Sequence, residues 1–144
     1  MIKNERQYRI TRAQAEKFEK AVAEMRTSRS RDIHPVLQKA QLDGMKRQLA
    51  DLQRELAEYD ALRSGARRTF KLRNLEELPK LLIQARTAAG LSQEELAGRL
   101  GLKPQQIQRY EATEYQSASL ERVIEVAGKL GIKVEMNIEL QLLS

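Results

Sequence analysis

The sequence predicts an all-α protein with a minor β element, and three observations support this fold class. Charged residues make up 32% of the chain and aromatic residues only 4%, a composition that suits exposed helices better than a sheet sandwich. Apolar residues recur three and four positions apart through most of the chain, which is the spacing of one helix face. Residues 132–140 instead alternate apolar and polar side chains, which predicts a half-buried strand.

The composition limits the classes of function. The chain has 144 residues, a formal net charge of +6 and no cysteine. Without cysteine there are no disulfides, thiolate nucleophiles or zinc fingers, and the chain suits a reducing cytosol. No apolar run approaches the roughly 18 residues that span a bilayer, and the polar N-terminus does not resemble a secretory signal. We therefore expect a cytoplasmic protein with no membrane partner.

The first helix is predicted to begin at Thr11, where Thr11 and Gln14 can form a capping box and Ile10 can pack on Ala15. The helix should end within Arg26–Asp32, a stretch without apolar residues. Its apolar stripe consists of Ala15, Phe18, Val22 and Met25.

The second helix is predicted to begin at His34-Pro35, because proline is tolerated at the first helical position. Ser64-Gly65 should end it. Two such amphipathic helices joined by a short loop favour an antiparallel hairpin over residues 1–66, which would bind a partner or dimerise. The second helix carries a heptad seam of Leu42, Met45, Leu49, Leu52, Leu56 and Tyr59, typical of a coiled coil.

The minor β element comprises residues 67–72 and 132–140. A lone strand is not stable, so the second segment must pair with the first, with its copy in a dimer, or with another protein. Residues 67–144 are predicted to form the second domain.

Four short helices are predicted between residues 74 and 131. The second and third of them are short and joined by a tight turn with glycine, which predicts a helix-turn-helix unit braced by a helix on each side. The first helix follows the turn Asn74–Glu77, begins at Pro79 and ends at Gly90. The second begins at the capping box Ser92–Glu95 and ends at Gly101. The third begins at Lys103-Pro104, and the fourth begins at Ser117 or Ser119 and ends at Gly131.

In such a unit the first helix crosses the DNA backbone and the second lies in the major groove. The exposed positions of the second helix here are Gln105, Gln106 and Arg109. Glutamine can pair bidentately with adenine and arginine with guanine. These residues predict a sequence-specific binder of double-stranded DNA.

Residues 79–131 resemble the Cro/CI-type (XRE) helix-turn-helix family. The resemblance rests on Arg86–Ala97, then Leu100-Gly101, then Ile107–Glu111. It implies a domain of five-helix type with a structural ion pair between Arg86 and Glu111. Pro104 departs from many members of the family, which carry a base-contacting polar residue there. The DNA contacts that the resemblance implies are Gln93 at the backbone, Lys103, Gln105, Gln106 and Arg109 at the groove, and Gln116, Ser117 and Ser119 in a loop whose amides meet a phosphate.

The layout of the whole chain resembles that of HigA-type antitoxins. The matching stretches are Asn4–Tyr8, His34–Leu37, and the spacing of Leu52, Leu56 and Tyr59. This resemblance implies a hairpin that masks a small, basic, RNA-cleaving toxin, and a complex that represses its own operon. The alternatives are a stand-alone regulator whose hairpin only dimerises or senses an effector, and a scaffold that has lost DNA binding.

The sequence carries no candidate catalytic or metal site. His34 is the only histidine, and no Gly-rich phosphate loop is present. We expect no enzyme and no cofactor. Since one domain reads few base pairs, we expect a homodimer on a pseudo-palindromic operator, held by the seam 42–59 or by the strand 132–140.

Overall fold

The computed structural model describes residues 1–27 and 33–143. Over these residues the predicted all-α class is confirmed. The elements are the helices α1 (Glu5–Thr27), α2 (Pro35–Arg63), α3 (Leu78–Ala88), α4 (Gln93–Leu100), α5 (Pro104–Ala112) and α6 (Leu120–Lys129), with a 3-10 turn at Leu75–Glu77 before α3.

Helix α1 begins six residues earlier than predicted, at Glu5. Asn4 supplies the cap, because its side-chain oxygen accepts from the amide of Gln7 at 2.9 Å. The Gln7 side chain accepts in turn from the amide of Lys3 at 2.8 Å. Asparagine is at least as good an N-cap as threonine, so Thr11 lies inside the helix and Ile10 is 51% exposed. The helix ends at Thr27; the rest of the predicted end region, residues 28–32, lies outside the described residues.

The predicted second helix is confirmed at both ends. His34 caps it, with Nδ1 accepting from the amide of Val36 at 3.2 Å, and Pro35 opens it. Gly65 follows the last turn with φ +73, a left-handed conformation that glycine adopts without a Cβ clash.

Helices α1 and α2 pack along each other. Ala15 and Val22 of α1 are buried, and the seam of α2 is half-buried from Leu42 to Leu56 and buried at Tyr59. The seam therefore faces α1 of the same chain and is not an exposed coiled-coil surface.

The predicted minor β element is wrong for the residues that the structure describes, since neither 67–72 nor 132–140 forms a strand. An extended segment needs a neighbour for its backbone hydrogen bonds, and neither segment pairs with the other. Beyond Ile132, which packs against the core, the apolar side chains of the second segment are left in solvent: Ile138 is 83% exposed and Leu140 82%.

The core of the C-terminal half is built by α3 to α6, and a capping serine begins α4 and α6. Ser92 Oγ accepts from the amide of Glu95 at 3.1 Å and the Ser92 amide donates to Glu95 Oε2 at 2.7 Å, which confirms the predicted capping box. Ser119, and not Ser117, caps α6. The main buried side chains are Leu82 and Ile83 of α3, Leu96 and Ala97 of α4, Ile107 of α5, and Val123 and Val126 of α6.

The hairpin lies directly on this C-terminal half. Lys3 Nζ donates to the backbone oxygen of Glu111 at 2.8 Å, and the Arg86 guanidinium donates to the backbone oxygen of Lys3. Helix α2 packs against α3, with Tyr59 and Leu62 of α2 and Leu81 of α3 buried. These contacts set the position of the N-terminal segment relative to α4 and α5.

Candidate nucleic-acid interface

Helices α4 and α5 are both short, and a tight turn joins them. Gly101 ends α4 with φ +67, a conformation that an L side chain adopts only with strain. Leu96 and Ala97 of α4 and Ile107 of α5 are fully buried in the same core cluster. This packing fixes α5 against α4 and leaves its other face free.

Helix α5 has one buried face and one exposed polar face. Ile107 and Glu111 are buried, whereas Gln105 and Arg109 are exposed. At about 100° per residue, Gln105 and Arg109 lie opposite the buried pair. The outward face therefore carries amide and guanidinium groups.

Lys103 and Gln106 lie at the start of the same helix. Both are exposed, and Gln106 Oε1 accepts from the Lys103 amide at 3.2 Å. The Gln106 amide nitrogen remains available to an external acceptor. The structure thus brings Lys103, Gln105, Gln106 and Arg109 to one exposed surface, which we call the α5 face.

Gln93, at the first position of α4, is half-buried and held from inside the protein. Its Nε2 donates to Glu111 Oε2 at 2.7 Å. This contact orients the side chain at the edge of the α5 face, so the residue is more constrained than an exposed glutamine.

Arg86 and Glu111 form an ion pair beneath this surface. Arg86 is 3% exposed and Glu111 0%, and Arg86 Nη2 lies 2.9 Å from Glu111 Oε2. The guanidinium also donates to the backbone oxygens of Leu91, at 2.7 Å, and Lys3. Buried charges are tolerated when their hydrogen bonds are satisfied in this way. The role of Lys3 was not predicted, because no local pattern links it to a residue 83 positions away.

The loop before α6 uses several of its predicted contact groups internally. Ser119 Oγ accepts from the Arg122 amide at 3.1 Å, and Ser117 Oγ lies 3.1 Å from Thr113 Oγ1. The amide of Gln116 donates to the Thr113 oxygen at 3.1 Å. Among the described residues, the amides of Ser117 and Ser119 have no acceptor, and they remain the donors that could meet a phosphate.

Tyr115, in the turn between α5 and α6, is a buried residue of this region. It is 2% exposed, and burial, together with the nearby Glu111 carboxylate, raises the pKa of its hydroxyl. Its ring stacks on that of Tyr110 with 5.7 Å between centroids. Its backbone lies in the left-handed region, at φ 59. Tyr115 therefore holds the turn between α5 and α6.

A cleft of about 880 Å³ opens beside the α5 face. Its lining includes Lys3 to Gln7 from the start of α1, Ser92 to Glu95 from the start of α4, and Gln108 and Ala112 of α5. Over the described parts of the chain, no group of three or more acidic or histidine side chains could hold a metal ion. No described helix is both long and apolar enough to cross a membrane.

Comparison with known families agrees with this geometry. Residues 82–136, from α3 to the segment after α6, match the family model described as Helix-turn-helix. The match supports a DNA-binding regulator of the XRE type, the Cro/CI family that the sequence resembles. No curated protein and no solved structure matches the chain significantly. The resemblance to HigA-type antitoxins thus gains no support from a relative.

Proposed function

We propose that the chain is a sequence-specific repressor that reads double-stranded DNA through the α5 face. The main support for this proposal is that Gln105, Gln106 and Arg109 are exposed on one helix, α5, which packs against α4. Both helices lie within the segment that matches the helix-turn-helix family. In this arrangement α4 crosses the DNA backbone and α5 enters the major groove.

The side chains then divide into two groups by the part of the DNA that they contact. Gln105 and Gln106 suit the paired donor and acceptor of adenine, and Arg109 suits the two acceptors of guanine. The backbone contacts come from Lys103, from Gln93, and from the amides of Ser117 and Ser119 in the loop before α6. Phosphate contacts position the protein and base contacts specify the sequence.

Replacing Arg109 by alanine should weaken binding to the preferred duplex by about 1–3 kcal/mol and relax the choice of base at one position. Lys103→Ala should instead weaken binding to all sequences alike and flatten the salt dependence. Binding to a duplex selected from a randomised library, and to its single-base variants, measures both effects. If Arg109→Ala left affinity and specificity unchanged, the chain would be a scaffold that no longer reads DNA.

We further propose a homodimer, because one domain reads too few base pairs for a specific site and two half-sites lie about 34 Å apart. The surface that suits a second copy is the tail 134–143 with the outer side of α6. Leu120 and Ile124 on α6 are 71% and 62% exposed, and the tail alternates exposed apolar side chains. The seam of α2 is covered by α1 and is not free to dimerise.

A second role, as the antitoxin of a toxin–antitoxin pair, is favoured by the end of the hairpin remote from α3. Val36 is 70% exposed and Leu37 54%, and neighbouring exposed apolar side chains indicate a protein partner. In this role the partner is a small, basic, RNA-cleaving toxin, and the complex represses its own operon. The alternative is a regulator whose hairpin only dimerises or senses an effector.

Surface substitutions test the antitoxin role better than removal of the hairpin, because removal would uncover the buried Arg86 guanidinium. The small reading frame beside the gene is expressed alone and with the chain. An antitoxin should relieve growth arrest and co-purify with that product. The double variant Val36→Asp with Leu37→Asp should lose both effects, whereas Gln41→Asp and Arg109→Ala should keep them. No arrest, or no complex, would leave the stand-alone regulator.

A further inference from the structure

The first turn of α1 borders the same surface as the start of α4. Lys3 to Gln7 and Ser92 to Glu95 line the same cleft of about 880 Å³, together with Gln108 and Ala112 of α5. Since α4 is the helix that crosses the DNA backbone in this class of domain, the N-terminal segment lies at the outer edge of the proposed DNA surface.

Arg6 is the side chain of this segment that is free to bind an anion. It is exposed, lines the cleft, and forms no ion pair within residues 1–27 and 33–143. Arg63, on the same cleft, is instead paired with Glu5 at 2.9 Å and with Asp60 at 3.3 Å. The difference leaves the Arg6 guanidinium without a counter-charge.

The charges around Arg6 are mostly engaged elsewhere. Lys3 Nζ donates to a backbone oxygen and so neutralises no carboxylate. Glu5 is held by Arg63. Glu95 accepts from the Ser92 amide and keeps its negative charge. Neither Glu95 nor Glu94, which also lines the cleft, forms an ion pair with Arg6 among the described residues.

The position of Arg6 is fixed relative to α5. Arg86 donates to the Lys3 backbone oxygen while Lys3 Nζ donates to the Glu111 oxygen, so two contacts join the segment to the buried ion pair. Asn4 then caps α1 two residues before Arg6. The backbone that carries Arg6 is therefore already ordered, and binding costs only the entropy of the side chain.

We propose that Arg6, with Lys3 beside it, contacts a DNA phosphate that flanks each half-site. The hairpin would then extend the backbone footprint of the helix-turn-helix unit without reading bases. This proposal rests on the proposed function, because it takes the seating of DNA on the α5 face as given. Arginine suits the contact, since its planar fork can donate two parallel hydrogen bonds to phosphate.

The test is Arg6→Ala in the full chain, with Arg26→Ala as the matched control. Both residues are exposed arginines of α1, and at about 1.5 Å per residue they lie roughly 30 Å apart along the helix. The probe is a duplex selected by the unaltered chain from a randomised library, made with and without extra base pairs beyond each half-site. Binding is measured between about 50 and 200 mM salt.

The logarithm of the binding constant falls linearly with the logarithm of the salt concentration, and the loss of one phosphate contact makes this slope shallower by about 0.9 for each protomer. Arg6→Ala should therefore weaken binding to all sequences alike. The loss of affinity relative to the unaltered chain should shrink about 3.5-fold per protomer as the salt concentration rises from about 50 to 200 mM. Arg26→Ala should bind as the unaltered chain does. On the duplex without the flanking base pairs, the deficit of Arg6→Ala should disappear.

Two outcomes overturn the inference, and they differ in what they say of the proposed function. If Arg6→Ala and Arg26→Ala bind with the same affinity and salt slope while Arg109→Ala loses specificity, the footprint ends at the helix-turn-helix unit and only this inference fails. If the unaltered chain selects no duplex at all, the proposed function fails and the inference falls with it.

Discussion

Replacing Glu111 by alanine is expected to lower the free energy of unfolding by about 3–5 kcal/mol. The substitution leaves the Arg86 guanidinium, 3% exposed, without a counter-charge inside the protein. It also removes the acceptor of Gln93 Nε2, which lies 2.7 Å from Glu111 Oε2. Urea denaturation of the full chain measures the change from the shift in the midpoint.

The matched control for this substitution is Glu125→Ala. Glu125 also accepts from an arginine, Arg122, at 2.8 Å, but on the surface of α6. Solvent screens exposed pairs, so the control should cost about 0–1 kcal/mol. If Glu111→Ala were no more costly than Glu125→Ala, the buried pair would not be the link that joins α3, α5 and the N-terminal segment.

Truncating the chain after Lys133 is expected to convert a dimer into a monomer and to lower affinity for a two-half-site duplex by about 100-fold or more. Two linked binding units gain avidity of this order without any new contact. Ile132 is kept because it packs against the core, whereas Ile138, Leu140 and Leu142 are more than 80% exposed. The truncation therefore removes exposed apolar surface and leaves the domain intact. Sedimentation equilibrium gives the mass, and titration of one-half-site and two-half-site duplexes gives the affinities.

Point variants distinguish an effect of the lost apolar interface from an effect of the shorter chain. Ile138→Asp places a charge on the apolar side of the tail, and Asn137→Asp places the same charge on the polar side. Only the first should shift the chain towards monomer. A truncated chain that remains a dimer would move the interface to another surface and contradict the proposed role of the tail.

Much of the C-terminal half could be predicted because its boundaries are local. Ser92 and Glu95 form a reciprocal cap across three residues, and Gly101 adopts the positive φ that ends α4. Such signals are complete within a few positions of the sequence. The exposed positions of α5 follow equally from the inward placement of Ile107, in the core cluster, and of Tyr110, which packs against it.

The remaining features depend on contacts that no local pattern contains. The start of α1 at Glu5 was missed because Thr11 carries an equally plausible cap. The bonds of Lys3 to Arg86 and Glu111 join residues at least 83 positions apart. The alternation over 132–140 predicts a strand correctly only if a second strand pairs with it, and the described residues supply none.

Whether α5 reads DNA is tested by selecting duplex DNA from a randomised library with the full chain. We expect enrichment of one sequence with dyad symmetry, whose half-sites lie about 34 Å apart. With Arg109→Ala we expect loss of preference at one position of each half-site. A pool that remains random after repeated selection, at low salt and with folded protein, would contradict DNA reading through α5.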